Sequence, residues 1–447
     1  MSSVFLIKAL QLLLSLAILV VLHELGHFIP AKLFKTKVEK FYLFFDWPYS
    51  LFKKKIGDTE YGVGVLPLGG YVKIAGMIDE SMDTEHLNKE PQPWEFRSKP
   101  AWQRLIIMFG GIAVNFFVGF AIYAMVASVW GKTILTNENL PNGLEVSELM
   151  KSYGFKDGDK VLKVDGKDLE NILDLNKFLF LRGVNEVRVE HLNGKQENIL
   201  IPENIDEIMF KNDAIMSFIP LRSPTLLDSV IPNSNAYNAG LLKGDIIINV
   251  NGTDVGKWDE FLELLKSSSS TNSVTQFVDL KIKRGNQILD YTVPFDENDK
   301  IGIVMATINQ FTPTKLEYSF AESIQDGLNR AYWELLDYVG QFKHVFTKKG
   351  VSQLGGFGAI GNLFPAEWSW KDFWETTALL SIILAFMNAL PIPALDGGHI
   401  MFLVYEVVSG SKPNDKFMEY AQITGFLLLI GLVLFANGND IVRFLFN

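Results

Sequence analysis

Four long stretches of the chain are almost free of charge, and each is about as long as a helix needs to cross a lipid bilayer. An α-helix of roughly 20 apolar residues spans the hydrocarbon core. The stretches are residues 4–22, which only Lys8 interrupts, and residues 105–130, 376–395 and 420–439. This pattern predicts a polytopic α-helical membrane protein with four transmembrane helices.

The loops between these stretches predict how the chain is oriented. Residues 32–104 contain twelve Lys and Arg, whereas the two ends of the chain offer only Lys8 and Arg443. Short basic loops stay in the cytoplasm, so both termini and residues 131–371 are expected on the far side. A cleaved signal peptide would also begin with Lys8 and an apolar run, but no small-x-small cleavage site follows it.

Composition argues against nucleic-acid binding and excludes cysteine chemistry. The formal net charge is -10, and no basic stripe or binding motif is present, so nucleic acid is not an expected partner. The chain has no cysteine, so it has neither disulfides nor thiolate metal ligands.

The predicted outer segment contains an internal repeat. GFKDGDKVLKVDG, which begins at Gly154, aligns with GLLKGDIIINVNG, which begins at Gly240, and the three glycines and Asp159 recur 86 residues later. Each copy predicts a glycine turn, a short strand, a second turn and a helix. The pair resembles tandem PDZ domains, although one copy alone would also fit another small β-rich domain.

A second β pattern lies between the first two apolar stretches. Tyr61, Val63 and Val65 alternate with smaller residues, residues 67–70 predict a turn, and residues 71–74 return. The pattern predicts a β-hairpin at about 58–77, and an ordinary cytoplasmic hairpin fits these residues as well.

The motif with the clearest chemistry directly follows the first apolar run. HELGH at positions 23–27 predicts that one helix continues from residue 4 to about residue 29 and ends at Pro30. His23 and His27 then lie on one face, roughly 6 Å apart along the axis, and can bind one zinc ion. Glu24 is offset around the helix, which suits a carboxylate that accepts a proton from the attacking water.

Two histidines leave a catalytic zinc short of one protein ligand. NALPIPALDGGH at positions 388–399 ends the third apolar stretch, on the same membrane side as HELGH in the predicted orientation. Pro391 and Pro393 break the helix, and two glycines after Asp396 free the backbone, so the carboxylate can turn inward. Asp396 is the predicted third ligand, although an Asp-Gly pair alone would also fit a surface turn.

The remaining histidines are weaker candidates. We expect His399 to support a ligand or to lie at the membrane interface rather than to bind metal. His86, His191 and His344 are isolated in the sequence, and each is expected on the solvated surface.

Together these motifs resemble the site-2 protease family, the zinc metalloproteases of regulated intramembrane proteolysis, and particularly its bacterial members with tandem PDZ domains. The resemblance covers nearly the whole chain through HELGH, GVGVLPLGGYVKIAGM at 62–77, the repeat and NALPIPALDGGH. It implies that His23, His27 and Asp396 bind zinc and that Glu24 is catalytic. The implied substrates are single-span membrane proteins, such as an anti-sigma factor, cut within their transmembrane segments.

The resemblance also implies lower-ranked substrate contacts. It assigns Asn388 and Asn115 to substrate binding, and it places the hairpin with Gly69, Gly70 and Tyr71 inside the membrane as a re-entrant element. An exposed strand edge there would pair with an unwound substrate.

Two departures from the family pattern leave local details open. GGIAVN at 110–115 lacks the proline of the Gly-Pro-x-x-Asn type motif, and Phe357 replaces a proline found in many relatives. These differences leave the local conformation and the role of Asn115 undecided, but not the zinc site.

The predicted fold is a four-helix membrane core with a re-entrant β-hairpin and two extracytoplasmic α/β PDZ-like domains, located in the bacterial inner membrane with the PDZ-like pair in the periplasm. The predicted segments are the first transmembrane helix at 1–35, the cytoplasmic loop at 36–104, the second transmembrane helix at 105–130, the PDZ-like domains at 131–220 and 221–305, an amphipathic connection at 306–371, the third transmembrane segment at 372–405, a short loop at 406–419 and the fourth transmembrane helix at 420–447. Residues 320–349 fit either a helix at the outer interface or a helix docked on the PDZ-like pair.

Two other functions are weighed against this interpretation. A membrane-anchored zinc peptidase acting on soluble substrates would place HELGH outside the bilayer, which the predicted orientation opposes. A non-catalytic scaffold that keeps zinc only for structure would not need Glu24. The PDZ-like pair fits either ligand binding or exclusion of substrates with bulky outer domains.

Overall fold

The computed structural model describes residues 3–67, 69–77, 90–140, 142–221, 225–256, 258–269, 277–296, 300–305 and 313–446. The chain forms two compact units. We call Met1–Lys132 with Glu317–Asn447 the helical unit, and Thr133–Leu316 the β-rich unit.

The helices and strands are numbered in chain order. The helices are α1 (Ser3–Leu33), α2 (Ala101–Trp130), α3 (Glu148–Lys151), α4 (Asp174–Leu181), α5 (Ile205–Lys211), α6 (Asn235–Ala239), α7 (Trp258–Ser269), α8 (Phe320–Val345), α9 (Lys348–Gln353), α10 (Phe357–Gly361), α11 (Trp370–Ala389), α12 (Asp396–Ser409) and α13 (Asp415–Phe446). The strands are β1 (Val38–Leu43), β2 (Phe45–Ile56), β3 (Thr59–Leu66), β4 (Tyr71–Ile74), β5 (Lys132–Ile134), β6 (Leu144–Val146), β7 (Lys160–Val164), β8 (Glu186–Glu190), β9 (Gln196–Leu200), β10 (Phe218–Pro220), β11 (Leu227–Val230), β12 (Ile246–Val250), β13 (Thr253–Asp254), β14 (Phe277–Arg284), β15 (Gln287–Pro294), β16 (Ile303–Met305) and β17 (Thr314–Leu316).

Three helices in the described residues are long and apolar enough to cross a membrane. They are Ser3–Leu33, Ala101–Trp130 and Lys416–Leu445, and they coincide with the first, second and fourth predicted spans. The third predicted span forms α11 and then α12, and α11 carries Lys371 and Asp372 in its first turn. The count of four spans stays a prediction.

The first helix extends beyond its predicted end. Pro30 lies inside α1, which continues to Leu33, so the expectation that the helix stops at this proline is wrong. A proline removes one backbone donor, and the carbonyl left without it belongs to Gly26. That carbonyl lies against Gly110 of α2, where a side chain would overlap it. The absence of a side chain on Gly110 therefore lets the two helices approach closely beside the proline.

The predicted hairpin at 58–77 is wrong in its pairing. Four strands form a sheet in the order β2-β3-β1-β4, so β1 separates the two strands that were expected to be neighbours. Strand β3 pairs antiparallel with β2 and parallel with β1, and β4 pairs antiparallel with β1. The alternation of large and small residues identifies strands but does not say which strands pair. Strand β2 was not predicted because it contains Pro48, and proline is tolerated there since β2 is at the edge of the sheet among the described strands.

Helix α8 packs inside the helical unit. A side chain on Gly327 would overlap Ala124 of α2, and the Arg330 guanidinium lies 4.4 Å from the Tyr123 ring centre. Arg330 also pairs with Glu375 of α11 at 3.2 Å. These contacts pack α8 against α2 and α11, and they do not decide between the two alternatives predicted for residues 320–349.

The β-rich unit repeats one hydrogen-bond pattern. Leu144 exchanges backbone hydrogen bonds with Gly158 and Asp159 in the first copy. Leu227 does so with Gly244 and Asp245 in the second copy, again 86 residues after the glycine and aspartate of the first. Each copy also has its own buried apolar cluster, so each forms a core of its own. Their assignment as PDZ domains stays a prediction.

Candidate metal centre

The structure brings three possible metal-ligand atoms together where α1 meets the start of α12. His23 Nε2 and His27 Nε2 lie 3.3 Å apart. Asp396 Oδ2 lies 3.4 Å from the first and 3.3 Å from the second. These three atoms form a nearly equilateral triangle, and within the described residues they are the one group of this kind that could hold a metal ion.

The triangle fits zinc. A tetrahedral site with bonds of about 2.05 Å has ligand atoms about 3.3 to 3.4 Å apart, which matches all three sides. Asp396 Oδ2 is buried and has no hydrogen-bond partner among the described residues. A buried carboxylate oxygen without a donor is costly unless a cation compensates it, so the donor set is suited to a divalent metal.

The His27 ring is oriented by a backbone carbonyl of α2. Its Nδ1–H donates to Ile107 O at 2.9 Å, which leaves the lone pair on Nε2 directed at the triangle. This is the usual arrangement for a metal-binding histidine, because the second hydrogen bond fixes both the tautomer and the ring. Gly111 makes room for it, since a side chain at that position would overlap the imidazoles of His27 and His23.

The His23 ring is oriented by a side chain of α2. Its Nδ1 lies 3.0 Å from Nδ2 of the Asn115 side-chain amide. Metal binding through Nε2 requires a proton on Nδ1, and the amide accepts that proton when its oxygen faces the ring. A half turn of the amide places Asn115 Oδ1 at the ring and gives this oxygen, which has no partner among the described residues, the Nδ1 proton to accept. Asn115 therefore touches a ligand, where the resemblance had implied substrate binding.

Asp396 is the first residue of α12 and follows a sharp break in the chain. Helix α11 ends at Ala389, and Pro391 and Pro393 occupy the segment before α12. Neither Gly397 nor Gly398 adopts a positive φ, so the expected backbone freedom is not what these positions use. They are needed for close approach instead, because side chains there would overlap the backbone of residues 389–393.

Glu24 lies beside the triangle in a small cavity. Residues Glu24 and His27 are only 8% and 6% exposed. The cavity has a volume of about 60 Å³ and is lined by the three ligand residues, Glu24, Tyr71 and neighbouring apolar side chains. That volume holds a few water molecules.

Only some of the other predicted site residues line this cavity. Tyr71 and His399 line it, whereas its described wall does not include Gly69 or Asn388. Gly70 packs behind Glu24, since a side-chain carbon built on it would lie 3.6 Å from Glu24 Cγ. The structure thus places Tyr71 next to the ligands and leaves Asn388 on the last turn of α11.

Sequence reasoning missed one residue of the wall, Gln422 of α13. It is 3% exposed and lines both this cavity and a neighbouring cavity of about 210 Å³. Met77 and His399 also line both cavities. The signal in the sequence was the one glutamine inside the fourth apolar stretch.

Two of the three isolated histidines are buried, so the expectation of solvated surfaces was wrong for them. His191 and His344 are 4% and 6% exposed. His191 follows β8 directly and turns inward, where its Nδ1 lies 2.6 Å from Asp159 Oδ1. His86 lies outside the described residues.

Comparison with known proteins agrees with this geometry. The model of Peptidase family M50 matches residues 11–432. The chain is 27% identical to the Regulator of sigma E protease of Haemophilus influenzae, over 96% of this chain and 98% of that protein. A Neisseria meningitidis protein with the provisional name of zinc metalloprotease is 26% identical over 98% of this chain and 99% of its own length. A Borreliella burgdorferi protein with the same provisional name is 27% identical over 96% of both chains.

A HExxH helix and an aspartate from a distant helix start, both set among apolar helices, define a membrane metalloprotease of the site-2 type. The chain belongs to peptidase family M50, because the family model covers nearly its whole length. The predicted enzyme class is thereby confirmed, and the zinc in the relatives' names agrees with the predicted cofactor.

Proposed function

We propose that this protein hydrolyses peptide bonds within the transmembrane segments of single-span membrane proteins. The observation that carries the proposal is the location of the ligand triangle. Two of its ligands and Glu24 lie within α1, a helix long and apolar enough to cross a membrane. A chemical centre built into such a helix acts on substrates that share the bilayer with it.

The depth of the centre follows from helix geometry. His23 is 20 residues from Ser3, the first residue of α1, so it lies about 30 Å along the axis from the start of the helix. His27 is five residues from Lys32, about 8 Å from the basic end. With the basic end at the cytoplasmic surface, the centre lies inside the inner leaflet.

The proposed reaction is metal-assisted hydrolysis with Glu24 as the proton carrier. His23, His27 and Asp396 would hold zinc, which supplies a Lewis acid that polarises the scissile carbonyl and acidifies water. Glu24 accepts the proton that the attacking water loses as the new C–O bond forms. It then donates this proton to the amine nitrogen as the C–N bond breaks, so the carboxylate is regenerated.

The substrate must be extended before it can be cut, because a helix hides its peptide bonds. Strand β4 is at the edge of its sheet among the described strands, and its residues Tyr71, Val72 and Ile74 line the catalytic cavity. We propose that the unwound substrate pairs with this edge, so that main-chain hydrogen bonds hold it beside Glu24. Tyr71 then contacts a substrate side chain.

The substrate class and the cell compartment rest on the relatives. The Haemophilus influenzae relative is named as a regulator of sigma E. We propose an anti-sigma factor or a similar single-span protein as substrate, in a bacterial inner membrane, with the β-rich unit in the periplasm.

A cysteine-accessibility scan tests the intramembrane location. Since the chain has no cysteine, single substitutions across residues 19–34 introduce the only thiol in each variant. We expect a water-soluble maleimide to label positions after Lys32 quickly and positions near His23 slowly in intact membranes. Rapid labelling throughout would instead place the centre in water and favour a peptidase of soluble substrates. Mass spectrometry of a cleaved single-span substrate should locate the cut within its apolar segment.

A further inference from the structure

The turn before Asp396 contains a strained residue. Ala394 has a φ of +79°, a left-handed conformation in which a Cβ atom is disfavoured. The Leu395 N–H donates to Ile392 O at 3.0 Å, and Pro393 precedes Ala394. These are the features of a type II turn, whose third position normally requires glycine. Two residues later the chain supplies its proposed metal ligand.

Helix α13 holds this turn in place. Gln422 Oε1 accepts a hydrogen bond from the Ala394 N–H at 3.1 Å. Gly425, nearly one turn further along the helix, lies so close to Pro393 that a side chain would overlap the proline carbonyl. The amide and the glycine thus clamp both central residues of the turn.

The position of Gln422 connects this clamp to the chemistry. The residue is 3% exposed, although its helix is one of those apolar enough to cross a membrane. A buried amide inside such a helix is costly unless it has a partner, so its presence points to a specific role. Its side chain accepts a hydrogen bond from the Ala394 N–H, and the residue also lines the catalytic cavity.

We propose that Gln422 is a positioning residue that holds the strained Ala394 turn and thereby sets Asp396 Oδ2 at its distance from the two imidazoles. Without the amide, the turn relaxes from the positive φ of Ala394, and the carboxylate that follows shifts with it. The inference rests on the proposed role of Asp396 as a zinc ligand. It adds α13 to the elements that form the centre.

Zinc affinity of the full-length protein in detergent tests the proposal without reference to activity. Gln422→Met keeps the side-chain length and removes the acceptor, and we expect zinc affinity, measured by chelator competition, to fall by at least about tenfold. Thr424→Val is the matched control, because this exposed residue bonds only to the Tyr420 carbonyl of its own helix. The control should bind zinc like the wild type. Equal affinity in Gln422→Met and wild type would overturn the proposal.

A second substitution separates positioning from general damage to the fold. Ala394→Gly makes the positive φ intrinsically favourable, so the turn needs the clamp less. The Ala394→Gly/Gln422→Met double variant should therefore regain most of the lost zinc affinity and the cleavage rate. If the double variant binds zinc no better than Gln422→Met, the amide does not act through this turn.

One further variant distinguishes this inference from the function on which it rests. Asp396→Asn should lose zinc more severely than Gln422→Met. If Asp396→Asn binds zinc as the wild type does, the proposed metal site itself is wrong. If Asp396→Asn loses zinc but Gln422→Met binds zinc as the wild type does, the metal site is supported and the positioning role of Gln422 is wrong.

Discussion

At the residue scale, each proposed ligand depends on a neighbour that fixes its direction. Ile107 O orients His27, the Asn115 amide orients His23, and the Ala394 turn orients Asp396. Two of these partners belong to α2, which contributes no ligand of its own. The proposed metal site therefore depends on these orienting partners as well as on its three ligands.

Asn115 gives the prediction at this scale. Asn115→Leu keeps the approximate volume but removes the partner of His23 Nδ1, so the imidazole is free to change its tautomer and tilt. We expect zinc affinity to fall by about 10- to 100-fold. Chelator competition measures this, with Asn388→Leu as the control, because Asn388 lies outside the described cavity wall. Equal losses in both variants would mean that Asn115 has no special relation to the metal.

Residue chemistry could be predicted where it depends on spacing along one helix or on a requirement for a third ligand. HELGH sets two imidazoles on one face, and zinc chemistry then points to the aspartate of the LDGGH segment. Asn115 and Gln422 could not be assigned in this way. Each meets its partner only through packing between helices that are distant in sequence.

At the scale of elements, an ion pair joins the first turn of α2 to the last turn of α12. Arg104 Nη2 lies 2.5 Å from Glu406 Oε1, and both side chains are largely buried. A buried pair of this kind adds little net stability compared with apolar residues, but removal of one partner leaves a buried charge uncompensated. The pair also lines the larger cavity next to the metal centre.

This pair gives the element-scale prediction. Arg104→Met or Glu406→Met should each destabilise the protein by about 3 kcal/mol, because one charge remains buried. The double variant should recover most of this loss. Thermal unfolding in detergent measures the effect, with Lys243→Met as a control that removes one partner of an exposed pair. If the double variant loses as much as both singles together, the two residues act independently.

The order of strands shows what sequence patterns leave out. Alternating residues located β3 and β4, but their common neighbour β1 lies earlier in the chain and pairs with both. Strand β2 was missed because Pro48 and three lysines argue against a strand. Pairing is decided by long-range contacts, which one sequence does not display.

At the scale of the whole molecule, the β-rich unit begins and ends at two paired strands. Strand β5 starts at Lys132, beside the boundary where the β-rich unit begins, and it pairs with β17, which ends at Leu316, the last residue of that unit. The ends of the β-rich unit therefore lie side by side. This permits the unit to be replaced by a short linker without stretching the helical unit.

Such a deletion tests the hypothesis that the PDZ-like pair excludes bulky substrates. Replacement of Thr133–Leu316 by a short Gly-Ser linker should allow untrimmed substrates with large outer domains to be cut. Cleavage of a substrate series with outer domains of increasing size measures this. The exclusion hypothesis fails if the size preference is unchanged. Lower cleavage of trimmed substrates alone would favour ligand binding by the pair instead.

The measurement that tests the central claim most directly combines cleavage with zinc content. Wild type, Glu24→Gln and Asp396→Asn are reconstituted in bilayers together with a tagged single-span substrate, and bound zinc is assayed in each. We expect Glu24→Gln to retain zinc but lose cleavage, because it keeps the ligands and removes the proton acceptor. Asp396→Asn should lose both. Cleavage by Glu24→Gln at the wild-type position would contradict the proposed mechanism.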